Sequence, residues 1–176
     1  MITDPSKDEI HETIDKEGFA LVASDHEGKR LYYTVGAKVF IGSEFYLEHM
    51  EPRTVELIVI HMMGILSKQD SEEIPLAFTV DGILAHGYKL GFMVIDDDAV
   101  VRECMPATLE DGDVPRVYQV LPPDTSNRLP WDEGYDADSM PYQSVKNQRF
   151  LKALCGRPEL IPNLEVKLQQ PSKTLH

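Results

Sequence analysis

Across residues 51–68, Val55, Ile58, Val59, Met62, Ile65 and Leu66 recur at steps of three and four, the spacing of one face of an α-helix. Glu51 and Pro52 suit its first turn, because the N–H that proline lacks is one that no intrahelical bond would use. Leu57, Ile60 and Met63 widen the stripe. The helix is therefore expected to be covered on more than one side and to form the centre of the core. The runs around it favour strands. Residues 19–24 and 30–35 are β-rich and separated by Asp25-His26-Glu27-Gly28, which predicts a hairpin. Phe45-Tyr46-Leu47 predicts a short strand. Two more strands follow at 76–80 and 88–95, with Asp81-Gly82 and His86-Gly87 as breakers between them. A last strand, 116–121, is stopped by Pro122-Pro123.

The ends of the chain add smaller elements. Asp4 suits an N-cap, Pro5 a first helical position and Gly18 a C′ position, which predicts a short surface helix. Residues 142–155 predict a second helix, with Val145, Phe150, Leu151 and Leu154 on one side and Gly156 beyond its end. Residues 157–176, with Pro158, Pro162 and Pro171, predict an extended strap. Residues 99–114 mix Val100, Val101 and Met105 with Pro106 and Gly112, and no element is assigned there. Strands in mostly hairpin order with interspersed helices predict an α+β fold. Its expected form is a mainly antiparallel sheet with one long buried helix, a short N-terminal helix and a C-terminal helix plus extended tail. Residues 1–141 read as a single domain, and 142–176 as a helix and tail packing on it or on a partner.

Charge limits the partners. Seventeen Lys+Arg stand against 30 Asp+Glu, a net charge of −13, which repels a phosphate backbone and argues against direct nucleic-acid binding. Much of the excess lies between Asp96 and Asp138, with twelve acids against three arginines. No apolar run reaches bilayer length, and Met1-Ile2-Thr3-Asp4-Pro5 lacks a basic region followed by an apolar one. No membrane association is expected, and the expected location is the cytoplasm. Cys104 and Cys155, the two cysteines, form neither a disulfide framework nor a CxxC pair.

Recognisable catalytic signatures are missing. HExxH, GxSxG, GxGxxG and the P-loop do not occur. Cys155 ends a helix, and Cys104 has Glu103 beside it, so neither thiol reads as activated. His61 falls in the apolar helix; His49 and His86 fall at strand edges, where convergence with Asp81 or the Asp96 cluster would be needed to hold a metal. No metal, cofactor or catalytic residue is assigned on this basis. Trp131, the single tryptophan, lies in a Pro-Trp-Asp-Glu-Gly loop with Asp124 and Arg128 nearby. It either closes the edge of the core, with Arg128 paired to Asp124, or belongs to a recognition loop in which Arg128 holds an anion that Asp124 or Asp132 orients.

Three stretches carry a resemblance. Tyr33-Thr34-Val35-Gly36 follows the hairpin, Phe45-Tyr46-Leu47 precedes the helix of residues 52–68, and Tyr118-Gln119-Val120-Leu121-Pro122-Pro123-Asp124 runs into Arg128-Leu129-Pro130-Trp131-Asp132; Gly87-Tyr88 fits a further element of the same pattern. In order and spacing this resembles the bacterial and phage family known as domain of unknown function 4262, over about residues 18–136. Leu121-Pro122-Pro123-Asp124 stands where that family commonly has Trp-Pro-Asp, and Leu129 where Phe is usual. The resemblance implies an α+β domain and no particular reaction.

Two functional readings follow. The first is a small acidic binding or interaction module with candidate binding residues Tyr33, Asp124, Arg128, Trp131 and Asp132. Its expected partner is a protein, which for a chain encoded on a mobile element would be a host nucleic-acid-handling protein met by negative charge. The second is a hydrolase or other small-molecule enzyme with a pocket near Tyr33, His86 and Arg128, where Tyr33 or His86 serves as acid or base.

Overall fold

The computed structural model describes residues 5–109 and 112–164. Its strands are β1 (Ala20–His26), β2 (Lys29–Val35), β3 (Glu44–Glu48), β4 (Ala77–Val80), β5 (Leu90–Ile95) and β6 (Val117–Leu121), joined in one sheet of order β1-β2-β3-β6-β5-β4. Only β3 and β6 run parallel; the other neighbours are antiparallel. Helices α1 (Lys7–Glu17), α2 (Lys38–Ile41), α3 (Pro52–Leu66), α4 (Asp98–Cys104) and α5 (Gln148–Leu154) complete an α+β fold. The short α2 and α4 go beyond the sequence reading, and α4 occupies part of the unassigned 99–114 stretch. Among the described residues no helix is long and apolar enough to cross a membrane.

Local chemistry explains the boundaries. The hairpin ladder runs out to His26 opposite Lys29. That leaves Glu27 and Gly28 as a two-residue turn with φ of 49° and 77°, the paired positive values that match the twist of the flanking strands. Ser6 caps α1 in a reciprocal capping box with Glu9, and Gly18 closes the helix at φ 89°. Asp4, the expected cap, lies outside the described residues. Glu51 caps α3 by accepting from the Thr54 amide.

Helix α3 covers one face of the sheet. Val55, Ile58, Val59, Met62 and Leu66 meet Phe45, Leu47, Phe78, Phe92 and Tyr118 there, with Phe78 and Phe92 stacked at 4.8 Å. Its outer side is open: Leu57 and Ile60 are 43% and 65% exposed. This corrects the expectation of cover on more than one side; a single layer lies on this face, so only one stripe of the helix finds a partner.

The opposite face carries two separate apolar clusters. Beneath α1 and α4, Val22, Leu31, Tyr33, Tyr46, Ile95, Val101 and Val117 pack together. Toward the far edge, Ala77, Met93 and Leu121 meet Leu129, Trp131, Val145 and Leu154. Gly91 makes the second cluster possible, because a Cβ there would stand 2.7 Å from the Trp131 ring. Between the clusters runs a polar seam. The Gln119 side chain acts there like a strand backbone: Nε2 donates to the Ser144 carbonyl at 2.7 Å, and Oε1 accepts from the Lys146 amide at 2.8 Å. These bonds hold 144–146 outside any helix, so the helix expected over 142–155 is reduced to α5. Asn147 caps it by accepting from the Phe150 amide.

The described tail packs on the domain itself. The Thr79 amide donates to the Pro162 carbonyl at 3.0 Å, Asn163 Nδ2 donates to Asp81 Oδ2 at 2.8 Å, and Leu164 is buried in the α3-side core. The segment thus covers the edge strand β4, which would otherwise offer unpaired backbone groups. Residues 165–176 of the expected strap lie outside the described residues.

Candidate functional site

The two-residue period of β3 puts Glu44, Tyr46 and Glu48 on one face while Phe45 and Leu47 point to the α3 core. Register then sets Tyr46 beside Gln119 of β6, and Gln119 beside Met93 of β5. Over this row lies the 144–146 segment. Glu48 Oε1 accepts from the Tyr46 hydroxyl at 2.7 Å and pairs with Lys146 Nζ at 2.8 Å; Glu48 Oε2 accepts from the Ser144 amide at 3.3 Å. The Lys146 ammonium also stands 5.9 Å from the centre of the Tyr46 ring. The side chains of Glu48 and Lys146 are 4% and 17% exposed, so the pair is largely withdrawn from water, where loss of one partner leaves an uncompensated charge.

Cys104, at the end of α4, completes the set against Tyr46. Burial, reinforced by the Glu48 charge, pushes the Tyr46 phenol far above its ordinary range. Burial also raises the Cys104 thiol; the Tyr46 hydrogen bond and the Lys146 charge oppose that rise, while Glu103 and Glu48 add to it. Both groups therefore stay protonated at neutral pH. These side chains border a cavity of about 140 Å³ whose outer rim is His26, Glu27, Lys29 and Glu103. His26 Nε2 lies 3.2 Å from Glu103 Oε1. One ligand atom each from His26, Glu27 and Glu103 fall within 4.8 Å of one another, the one such trio of His, Cys, Asp and Glu among the described residues.

The residues singled out from sequence are placed elsewhere. Asp124, Arg128, Trp131 and Asp132 do come together, as a closed loop. Asp124 is buried and accepts from the amides of Ser126, Arg128 and Asp136, each at 2.9 Å, and Arg128 Nε lies 3.4 Å from it. Trp131 is 4% exposed in the core. Asp132 accepts from the Leu129 amide at 2.8 Å and pairs with Lys89 at 2.7 Å. Of the two roles open to this loop, the geometry is that of core closure, with Arg128 paired to Asp124. Tyr33 is not brought to it; it lines a separate cavity of about 300 Å³ with Lys7, Ile10, Val22 and Pro106. His86 is exposed in the 85–87 turn at φ 62°. The pocket expected from Tyr33, His86 and Arg128 is therefore not assembled from those three. The His49 ring lies 4.9 Å from that of Tyr142, tilted against it by 33°, and among the described residues it joins no metal cluster with His86.

Each stretch that carries the resemblance has a structural task. Thr34 donates to the buried Glu44 carboxylate at 2.6 Å, and the amides of Gly36, Ala37 and Lys38 point at the same group. Gly87 accepts from Asn127 at 3.3 Å, and the Tyr88 hydroxyl donates to the Thr125 carbonyl at 3.2 Å. Sequence reasoning missed Glu48, Gln119 and Lys146. The available signal was a polar side chain at alternate positions inside strands that otherwise read as apolar, Glu44-Phe45-Tyr46-Leu47-Glu48 and Val117-Tyr118-Gln119-Val120-Leu121.

Compared with family models, with curated proteins and with solved structures, the chain finds no match. The functional reading therefore rests on geometry alone.

Proposed function

We propose that this protein is a binding module for a small polar ligand, seated in the cavity that Tyr46, Glu48, Cys104 and Lys146 border. The observation that carries the reading is the Glu48–Lys146 pair: a largely buried ion pair that joins strand β3 to the distant 144–146 segment and is left beside open space. Isolated burial of such a pair seldom adds stability over an apolar replacement, which favours a binding role. The lining mixes Lys29 and Lys146 with Glu27, Glu48 and Glu103, a complement suited to a small zwitterion. Binding is favoured over catalysis because the phenol and the thiol both have raised pKa values and are not poised as base or nucleophile near neutral pH.

The test is an NMR titration of the chain with glycine, ethanolamine and acetate. Glycine is expected to shift the amide signals of 46–48 and 144–146, and the shifts should vanish in Lys146→Met. Identical shifts in that variant, or none in the wild type with any of the three probes, would refute the reading.

A second reading is an acidic docking surface for a protein partner. It is supported by the exposure of Glu133 and Asp138, which lie beside the closed loop. Glu133→Gln with Asp138→Asn tests it without disturbing Asp124 or Asp132. A partner captured equally well by this double variant would count against the surface.

A further inference from the structure

We propose that His26, Glu27 and Glu103 form a binding site for a divalent transition metal, zinc above all, at the mouth of the cavity. The inference extends the binding reading but rests on different residues. The tight turn at Glu27-Gly28 is what creates the site. It brings the last residue of β1 and the first residue of the turn to the same end of the sheet, where the final turn of α4 supplies Glu103. Their ligand atoms already lie within 4.8 Å of one another, so side-chain rotation rather than backbone movement would close them around an ion.

The donor set is one imidazole nitrogen and two carboxylates, hard and borderline ligands that suit zinc, manganese or iron rather than a soft thiophilic ion. Three protein ligands leave a position open in a tetrahedral site. His26, Glu27 and Glu103 line the same cavity as Cys104, Glu48 and Lys146, so an open position would have those side chains nearby. Two carboxylates beside each other repel, and the His26 ring stands 3.2 Å from one of them, Glu103; a divalent ion would relieve that repulsion. Lys29 lines the same cavity, and its positive charge would oppose binding of a metal. The absence of any metal assignment at the level of sequence has a simple cause: Glu103 lies far along the chain from His26, and only the fold joins them.

The experiment strips the full chain with a chelator and titrates it with zinc against a chromophoric competitor, with cobalt as a spectroscopic stand-in. The expected result is one zinc per chain and visible cobalt absorption. His26→Ala and Glu103→Gln should each weaken binding by at least about tenfold, the cost that even an outer-shell partner of a metal carries. Lys29→Met should tighten it, and His86→Ala should leave it unchanged. No zinc bound by the folded wild type, or zinc bound equally by the His26→Ala/Glu103→Gln double variant, would overturn the site. Zinc affinity measured in Lys146→Met separates the two readings, because that variant should lose the zwitterion shifts and keep the metal.

Discussion

Two buried carboxylates in this chain, Asp124 and Glu48, are satisfied in opposite ways. Asp124 takes its hydrogen bonds from amides of its own loop, all within twelve residues of it, and forms an ion pair with the neighbouring Arg128. Glu48 is held by a phenol on its own strand and by an ammonium and an amide from a segment almost a hundred residues away. The first arrangement folds a loop and leaves nothing to spare. The second ties the C-terminal segment to the middle of the sheet and leaves its charged partner beside a cavity. A carboxylate satisfied locally by backbone is a device of folding; one satisfied by distant side chains at the edge of a void is where a ligand can enter.

If that contrast is right, the seam fails first when the tail is removed. Deleting residues 142–176 would uncover part of Ala77, Met93 and Leu121, leave Gln119 without its Ser144 and Lys146 bonds, and take Ser144 and Lys146 from Glu48 while leaving it the Tyr46 hydroxyl. Loss of the cooperative melting transition, with aggregation on concentration, is the expected outcome. A soluble 1–141 fragment melting near the wild-type temperature would show that the seam is an accessory to the sheet.

The loop is tested next. Trp131→Ala should cost about 3–5 kcal/mol, the usual loss for a buried large aromatic, and lower Tm by roughly 10 °C. The smaller Gly91→Ala change should act through the same contact, since its new methyl meets the Trp131 ring. In the seam, Lys146→Met should cost about 3 kcal/mol by leaving Glu48 unpaired. Adding Glu48→Gln should restore most of that loss. A double variant as unstable as the sum of the two single changes would mean that the groups do not interact, and the comparison would fall.

The legibility of these features in the sequence follows the same division. Turn chemistry and capping are local, so the Glu27-Gly28 hairpin, α3 and all six strands could be read from residue order, as could the closure of the core by Trp131. Cover is not local. The periodicity of α3 showed which of its residues are apolar but not that Leu57 and Ile60 would face solvent. The 142–147 segment has helical spacing, yet Gln119 outbids that propensity with two hydrogen bonds. The candidate site suffered most, because Tyr46, Cys104 and Lys146 come from three elements widely separated in the chain. Trp131 stands out as the single tryptophan, and it is the large apolar area of its ring that places it inside.

The smallest effect is a pH dependence at Asp124. Burial alone would raise the Asp124 pKa, but the amides of Asp136, Arg128 and Ser126, with the Arg128 charge, outweigh it and hold the carboxyl below its ordinary value. The unfolded chain, with a carboxyl near the usual value of about 3.9, then binds the proton more readily than the folded one. The stabilisation is accordingly complete above that pH and is lost as pH falls through the lower folded value. Asp124→Asn should therefore melt below the wild type at pH 7, and the two curves should converge at acid pH. A gap that persists unchanged to pH 2 would mean that shape, and not the charge of Asp124, holds the loop, and the contrast with Glu48 would lose its electrostatic half.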